Sequence, residues 1–397
     1  MSANIQMVIV SLLNVSNPES LNTDSGYITQ RLIGTELAAR GHKFILLAPV
    51  HAREPFECHY TSMGHTKYEV RFGVNYRDLY CKLRRVLKKY GAIDWVWVNQ
   101  PETIAAIRAI LSELGSDDTR IFTYVHYLPV LRYQEGELVW DPSLNDGNLA
   151  PVIMNRIAEG CNLADAVGIH TEFGKKLLLS AAAEARATVD GAKISVMPIA
   201  ADPMLIRNKP PVMENIQDTL FGYPNRLYAH YGTGEMFKYF EMMRQDLPLK
   251  VWISDQINSR SRLRQRLDPS TAAVAQKIRS CRFVVRFHDQ KDRQLYRDII
   301  SRSSVIFGPN RTAALWSLSI IDAMGMGIPV MAPDAGGYRE MLPQSCLWSD
   351  YEDLSNKVYN IIKNERTWLD IARKNYDRSL QYRPAVVVNN IESALGV

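Results

Sequence analysis

Residues Val305–Leu342 read VIFGPNRTAALWSLSIIDAMGMGIPVMAPDAGGYREML. Val305–Phe307 is a short β-rich run that Gly308-Pro309 ends. Ser319–Gly325 suits a short helix and carries one carboxylate, Asp322. Gly327 and Pro329 stop that helix and lead into a second apolar run, Val330–Ala332. Gly336-Gly337 then open a turn before Glu340. Strand, loop, helix and strand in this order make a βαβ unit. A carboxylate in a short helix beside a loop of small residues suits a nucleotide: loop amides can meet phosphates, and the carboxylate can accept from ribose hydroxyls.

The same alternation extends outward over the chain. In the first half, Met7–Leu13, Phe44–Ala48, Trp95–Val98, Ile121–His126, Ala166–His170 and Ile194–Ile199 read as strands. Tyr27–Arg40, Leu79–Tyr90, Glu102–Glu113, Leu149–Asn162 and Glu172–Ala183 read as helices. The strands are near-continuous apolar runs, as expected where helices cover both faces of a sheet. Ala201–Asn225 breaks the pattern with Pro203, Pro210-Pro211 and Pro224. It then restarts, with strands at Leu227–Tyr231, Val251–Ile253, Phe283–Phe287, Val305–Phe307 and Val330–Ala332, and helices at Met236–Gln245, Arg293–Arg302 and Tyr351–Asn364. The expected fold is α/β, two tandem Rossmann-like doubly wound domains. Their expected bounds are 1–205 and 206–383, with a last helical stretch over 384–397.

At 397 residues the chain has room for two such domains. No apolar run reaches the roughly 18 residues that a membrane helix needs, and Met7–Leu13 reads as a buried strand rather than a signal peptide. The five cysteines are odd in number and scattered, with no CxxC pair. That pattern indicates neither a disulfide framework nor a zinc site, and a reducing, cytoplasmic setting is expected. The net charge of +5 is uneven. Residues 1–200 hold 20 Lys+Arg against 21 Asp+Glu, and residues 201–397 hold 27 against 21. The excess concentrates in Arg260–Arg302, and Lys82, Arg85 and Lys89 share one helix face in the first half. Each is a solvated surface or a polyanion contact. HExxH, GxSxG and Walker A motifs do not occur.

Asp322-Ala323-Met324, Gly327-Ile328-Pro329-Val330 and Gly336-Gly337 together resemble the donor-site signature of retaining GT-B glycosyltransferases of the glycosyltransferase family 4 type. That resemblance implies two Rossmann-like domains facing across a cleft, a GT-B fold. The donor would lie against the second domain and the acceptor against the first. The last stretch, Pro384–Leu395, would cross back onto the first domain. The chain departs from the signature twice near the donor. Ala314 stands where the family has a first glutamate that reads the donor sugar, and the second glutamate is shortened to Asp322.

The family places an arginine and a lysine on the donor diphosphate, after the first strand of its second domain. Here Lys238 matches the lysine, while Gly232 or Thr233 occupies the arginine's place. Arg311, in the loop after Val305–Phe307, is our candidate substitute. Backbone amides at Ser317 and Leu318 are expected on the donor, and Asp322 on its ribose. Asp24-Ser25-Gly26 follows the first strand and resembles the family's first glycine loop, with Gly26 toward the donor and Ser25 toward the acceptor. His126 ends its strand where the family often has a histidine near the transferred sugar or the acceptor. His126 and Lys238 are thus the expected catalytic pair. Asn99 and Gln100 also end a strand, and either read sugar hydroxyls or cap the next helix.

The implied activity is sugar transfer with retention, from a nucleotide-diphosphate sugar to an acceptor hydroxyl, with no obligatory metal or other cofactor. The acceptor is a saccharide or small molecule, a nucleic acid such as a modified base in DNA, or an anionic lipid head group. A sugar-nucleotide epimerase of the same fold is the alternative enzyme. A catalytically weakened protein that binds sugar nucleotides or polyanions is the alternative outside enzymes. The chain leaves its oligomeric state open.

Overall fold

All five residues of β1 (Val8–Leu12) are buried, and only Ser11 among them is polar. The computed structural model describes residues 6–13, 21, 24–49, 54–61, 74–134, 136–142, 146–212, 220–225, 227, 231–254, 269–287 and 292–396. After β1 come α1 (Ser25–Ala39), β2 (Lys43–Ala48), β3 (Glu57–Tyr60), α2 (Tyr76–Tyr90), β4 (Trp95–Val98), α3 (Ile104–Glu113) and β5 (Arg120–Val125). A hairpin of β6 (Val130–Gln134) and β7 (Glu137–Trp140) precedes α4 (Leu149–Leu163), β8 (Ala166–Ile169), α5 (Glu172–Glu184) and β9 (Ile194–Val196). The first sheet has the order β3-β2-β1-β4-β5-β8-β9. Its strand pairs are parallel, with Ile9 between Phe44 and Trp95.

The second half continues with β10 (Leu220–Tyr223), α6 (Thr233–Met243), β11 (Lys250–Ser254), α7 (Pro269–Ser280), β12 (Val284–Phe287), α8 (Arg293–Ser301), β13 (Val305–Phe307), α9 (Leu318–Gly325), β14 (Val330–Pro333), α10 (Tyr338–Met341) and β15 (Leu347–Trp348). Two helices follow, α11 (Tyr351–Lys363) and α12 (Glu365–Ser379). The second sheet is again parallel, in the order β12-β11-β10-β13-β14-β15. Both sheets are therefore doubly wound, as the alternating pattern predicts.

One expected strand is misplaced. Leu227 lies outside any strand, residues 228–230 are outside the described residues, and the first strand of the second half is β10. Gly222 disguises β10 in the sequence. It is nevertheless required, because a side chain there would run into Ile306 and Trp252. The half-exposed edge strand β3, the β6–β7 hairpin, α7, β15 and α12 were also not anticipated. Of the basic Arg260–Arg302 run, residues 260–268 and 288–291 lie outside the described residues.

Contacts divide the chain into two compact units, 1–130 with 144–200 and 384–397, and 131–143 with 201–383. The first boundary falls at Ala200 because the next residues bond onward. The Ala201 N–H donates to the Tyr382 carbonyl, and Asp202 pairs with Arg293. The last helix, α13 (Pro384–Leu395), packs on α1. Val387, Val388, Ile391 and Leu395 are buried, and Arg40 reaches Asn389, Glu392 and the Ala385 carbonyl at 2.6–2.8 Å. No helix among the described residues is long and apolar enough to cross a membrane.

Candidate functional site

Each sheet reverses its strand order once, between β1 and β4 and between β10 and β13. In open α/β sheets the crevice at the carboxyl ends of such strands is where ligands bind. In the second unit the chain leaves β10 through Asn225, which is buried. Its Nδ2 donates to the Phe307 carbonyl at 2.7 Å, and its Oδ1 accepts from Ser319 Oγ at 2.8 Å. Ser319 Oγ lies 3.0 Å from Ser317 Oγ. This chain ties β10, β13 and the start of α9 together.

Ser317 occupies the N-cap position of α9, yet its hydroxyl makes no capping bond. The first amides of α9, from Leu318 onward, therefore receive no bond from the Ser317 hydroxyl at a helix end that favours anions. Two glycine turns pack backbone against backbone beside it. The Gly337 N–H donates to the Ala314 carbonyl at 2.8 Å. A Cβ on Gly336 would stand 2.6 Å from the Thr312 carbonyl oxygen, and one on Gly337 would strike that of Leu315. Gly232 has φ +63°, and a Cβ there would stand 2.6 Å from the Asn310 carbonyl oxygen. The turn before α6 and the loop after β13 thus touch. Asn310 Nδ2 adds a 2.7 Å bond to Glu235.

This contact brings Arg311 to Tyr231, with the guanidinium over the ring. Lys238 is an exposed residue of α6. Ala314 is buried, so its position opens little room for a longer side chain without movement of the loop. Asp322 is placed otherwise than a surface ribose reader would be. Its residue is only 2% exposed, and its Oδ2 lies 3.7 Å from Arg293, which also bonds Asp202 at 3.0 Å. Asp322 Oδ1 has no hydrogen-bond partner among the described residues. Burial raises its pKa to about 7, with Arg293 opposing and Asp202 adding to the rise.

In the first unit, Asp24 caps α1, its Oδ1 accepting from the Tyr27 N–H at 3.0 Å. Ser25 and Gly26 then form the helix start. A Cβ on Gly26 would stand 3.3 Å from Asn99 Nδ2, so the glycine loop after β1 meets the end of β4. A row of hydrogen bonds crosses the strand ends there. Ser11 Oγ donates to Gln30 Oε1 at 2.7 Å, and Gln30 Nε2 donates to Asn99 Oδ1 at 3.1 Å. His126 Nε2 lies 2.9 Å from Asn99 Oδ1, and His126 Nδ1 lies 3.1 Å from His170 Nε2. His126 also stacks on Tyr124, 4.7 Å between centres. Burial lowers the pKa of His126 to about 3 and that of His170 well below the usual range. Both rings are therefore neutral near pH 7.

The structure thus gathers Gly232, Arg311, Ser317 and the glycine pair in one unit, and Ser25, Gly26 and His126 in the other. Sequence reasoning missed Gln30 and Asn225 and left Asn99 open. All three are amides just beyond or facing a strand end at a reversal point, which was their only signal.

No family model and no curated protein sequence matches the chain. Solved structures do. Sucrose-phosphate synthase from Thermosynechococcus elongatus is similar at a TM-score of 0.73 and 15% identity, with 98% of each chain covered. HepE from Anabaena, in complex with UDP and glucose, is similar at 0.68 and 12% identity, with 98% of this chain and 100% of that one covered. Trehalose-6-phosphate synthase from Burkholderia multivorans gives 0.66 and 14%, over 99% and 98%. Likeness over the whole length shows the fold, which is that of the GT-B glycosyltransferases.

Proposed function

We propose that this protein is a glycosyltransferase that uses a nucleotide-diphosphate sugar, held by the second unit, and an acceptor hydroxyl, held on the side of Ser25 and His126. The observation that carries the reading is the start of α9, which Ser317 leaves uncapped, in the same unit as Arg311 and in a chain with the fold of sugar-nucleotide enzymes. The amides of Ser317 and Leu318 would bind the diphosphate. Lys238 and Arg311 would neutralise the charge that grows on it as the sugar leaves. The proposal needs no metal. Asp322 Oδ1 is buried and unbonded among the described residues, so it would accept from a ribose hydroxyl only where ligand binding uncovers it. Retention belongs to the same proposal, through the resemblance of the α9 region to retaining enzymes.

We favour a saccharide or small-molecule acceptor. Lys89, on the basic face of α2, is already bonded to Glu57 at 2.6 Å, which weakens the case for a polyanion track there. Cytoplasmic residence is also proposed, on five scattered cysteines that are all free thiols.

The test is a thermal-shift and turnover panel over nucleotide sugars, beginning with UDP-glucose because HepE is seen with it. A true donor at 100 times its dissociation constant adds about 2.7 kcal/mol to stability. A panel in which no nucleotide sugar stabilises or is consumed overturns the reading.

A further inference from the structure

We infer that Asn99 is the residue of the first unit that reads a sugar hydroxyl, and that Gln30 and His126 are positioning residues that aim its amide. This rests on the glycosyltransferase reading. Asn99 is half-buried at the end of β4, beside the strand-order reversal of the first sheet. Its Oδ1 is already occupied by two donors, Gln30 Nε2 and His126 Nε2. Its Nδ2 bonds no described protein group and lies 3.3 Å from where a Cβ of Gly26 would stand, so only a glycine leaves this amide uncrowded on that side. Two N–H donors are thereby presented at the strand ends, as hydroxyl recognition needs.

The residues behind Asn99 fix its orientation. Gln30 is fully buried, and a buried amide is costly unless bonded at both ends. Ser11 supplies one partner and Asn99 the other. His126 is committed in the same way. A proton on Nε2 serves Asn99, and Nδ1 then accepts from His170 Nε2. Both ring nitrogens face protein groups, so this imidazole is suited to holding Asn99 rather than to moving a proton. Donor sugar and acceptor offer the same hydroxyl chemistry, and the experiment separates them.

Two measurements decide. The first is long-range proton–nitrogen NMR of the His126 ring in the free protein. A neutral ring with its proton on Nε2 at pH 7 is expected. A neutral ring with its proton on Nδ1 and a bare Nε2 reverses the Asn99 amide and overturns the inference. The second is calorimetric affinity of UDP-glucose, of glucose, and of their monodeoxy analogues, for wild type, Asn99→Ala and Asn99→Asp. Removing the hydroxyl that Asn99 reads should weaken binding to wild type about tenfold, and removing it should cost nothing with Asn99→Ala. The series that shows the loss, donor or glucose, identifies the source. Discrimination that survives in both variants, or is absent in wild type, overturns it. UDP alone is the control for the underlying reading: if UDP fails to bind, the donor assignment fails independently of the NMR result. Gln30→Leu should shift the His126 ring nitrogens while leaving UDP affinity within twofold. An unmoved ring removes Gln30 from the positioning role.

Discussion

The Arg311 guanidinium carbon lies 5.7 Å from the centre of the Tyr231 ring, so a cation from the loop after β13 stands at the turn that leads into α6. The family signature would have an arginine at that turn, and this chain has Gly232-Thr233 there. In the proposed function the charge comes instead from a different strand end, through Arg311. Arg311→Ala should lower kcat by about 10²-fold, the scale of one well-placed donor to developing charge. Arg311→Lys should recover part of the loss, because a lysine keeps the charge without the planar fork. Equal kcat for all three proteins would show that Arg311 serves the fold rather than the donor.

Lys238 is exposed and makes no side-chain hydrogen bond or ion pair among the described residues. Lys238→Ala should therefore leave the unfolding free energy within about 0.5 kcal/mol of wild type. Its turnover should fall by about 10²-fold if the ammonium meets the leaving diphosphate. Denaturation and steady-state rates on the same preparation separate the two effects.

Asp322 links stability to pH. Its folded pKa is raised, to about 7, above the ordinary carboxylate value. The folded state thus binds the proton more tightly than the unfolded one. This contribution to stability is full below about pH 4 and is lost as pH rises through about 7. Asp322→Asn should remove that slope, so the melting temperatures of wild type and variant should converge or cross between pH 4 and 7. Donor affinity of the variant should fall at neutral pH if Oδ1 accepts from ribose. A pH-independent difference in melting temperature would count against the raised pKa.

Gly336→Ala should destabilise the second unit. Its φ is +58°, and the added Cβ would stand 2.6 Å from the Thr312 carbonyl oxygen. A loss of about 1–3 kcal/mol is expected from strain and overpacking. UDP affinity should fall with it, since the same backbone contact shapes the loop before α9. Urea denaturation and calorimetry check the two parts.

Ala314 removes the carboxylate that the family signature puts on the donor sugar. Sugar preference should accordingly be relaxed, with epimeric UDP-hexoses differing by less than about tenfold in kcat/KM. A strict preference that only substitutions outside residues 314–318 abolish would contradict this.

The 305–342 stretch was legible because its punctuation is local: Gly308-Pro309, Gly327 and Pro329 mark the ends of β13 and α9 within a residue or two. β10 was not, since Leu220-Phe221-Gly222-Tyr223 carries a glycine whose reason is its distant neighbours Trp252 and Ile306. β3 escaped because Glu57-Cys58-His59-Tyr60 is a half-exposed edge with no apolar run. At the sites, single residues were visible and their company was not. His126 and Asn99 lie 27 positions apart, and Asn225 and Ser319 lie 94 apart. Asp322 lies 3.7 Å from Arg293, on another helix. Only the strand order brings such pairs together.

The seat of α13 on α1 has a consequence for how the chain is made. Arg40 and His42 wait for Glu392, some 350 residues later. At a synthesis rate of roughly 5–20 residues per second, the ribosome spends tens of seconds between the two. Throughout that interval the face of α1 that α13 will cover stands open to solvent and to chaperones. The first unit begins folding early and is finished last, so a nascent chain stalled anywhere before residue 384 holds an incomplete version of it.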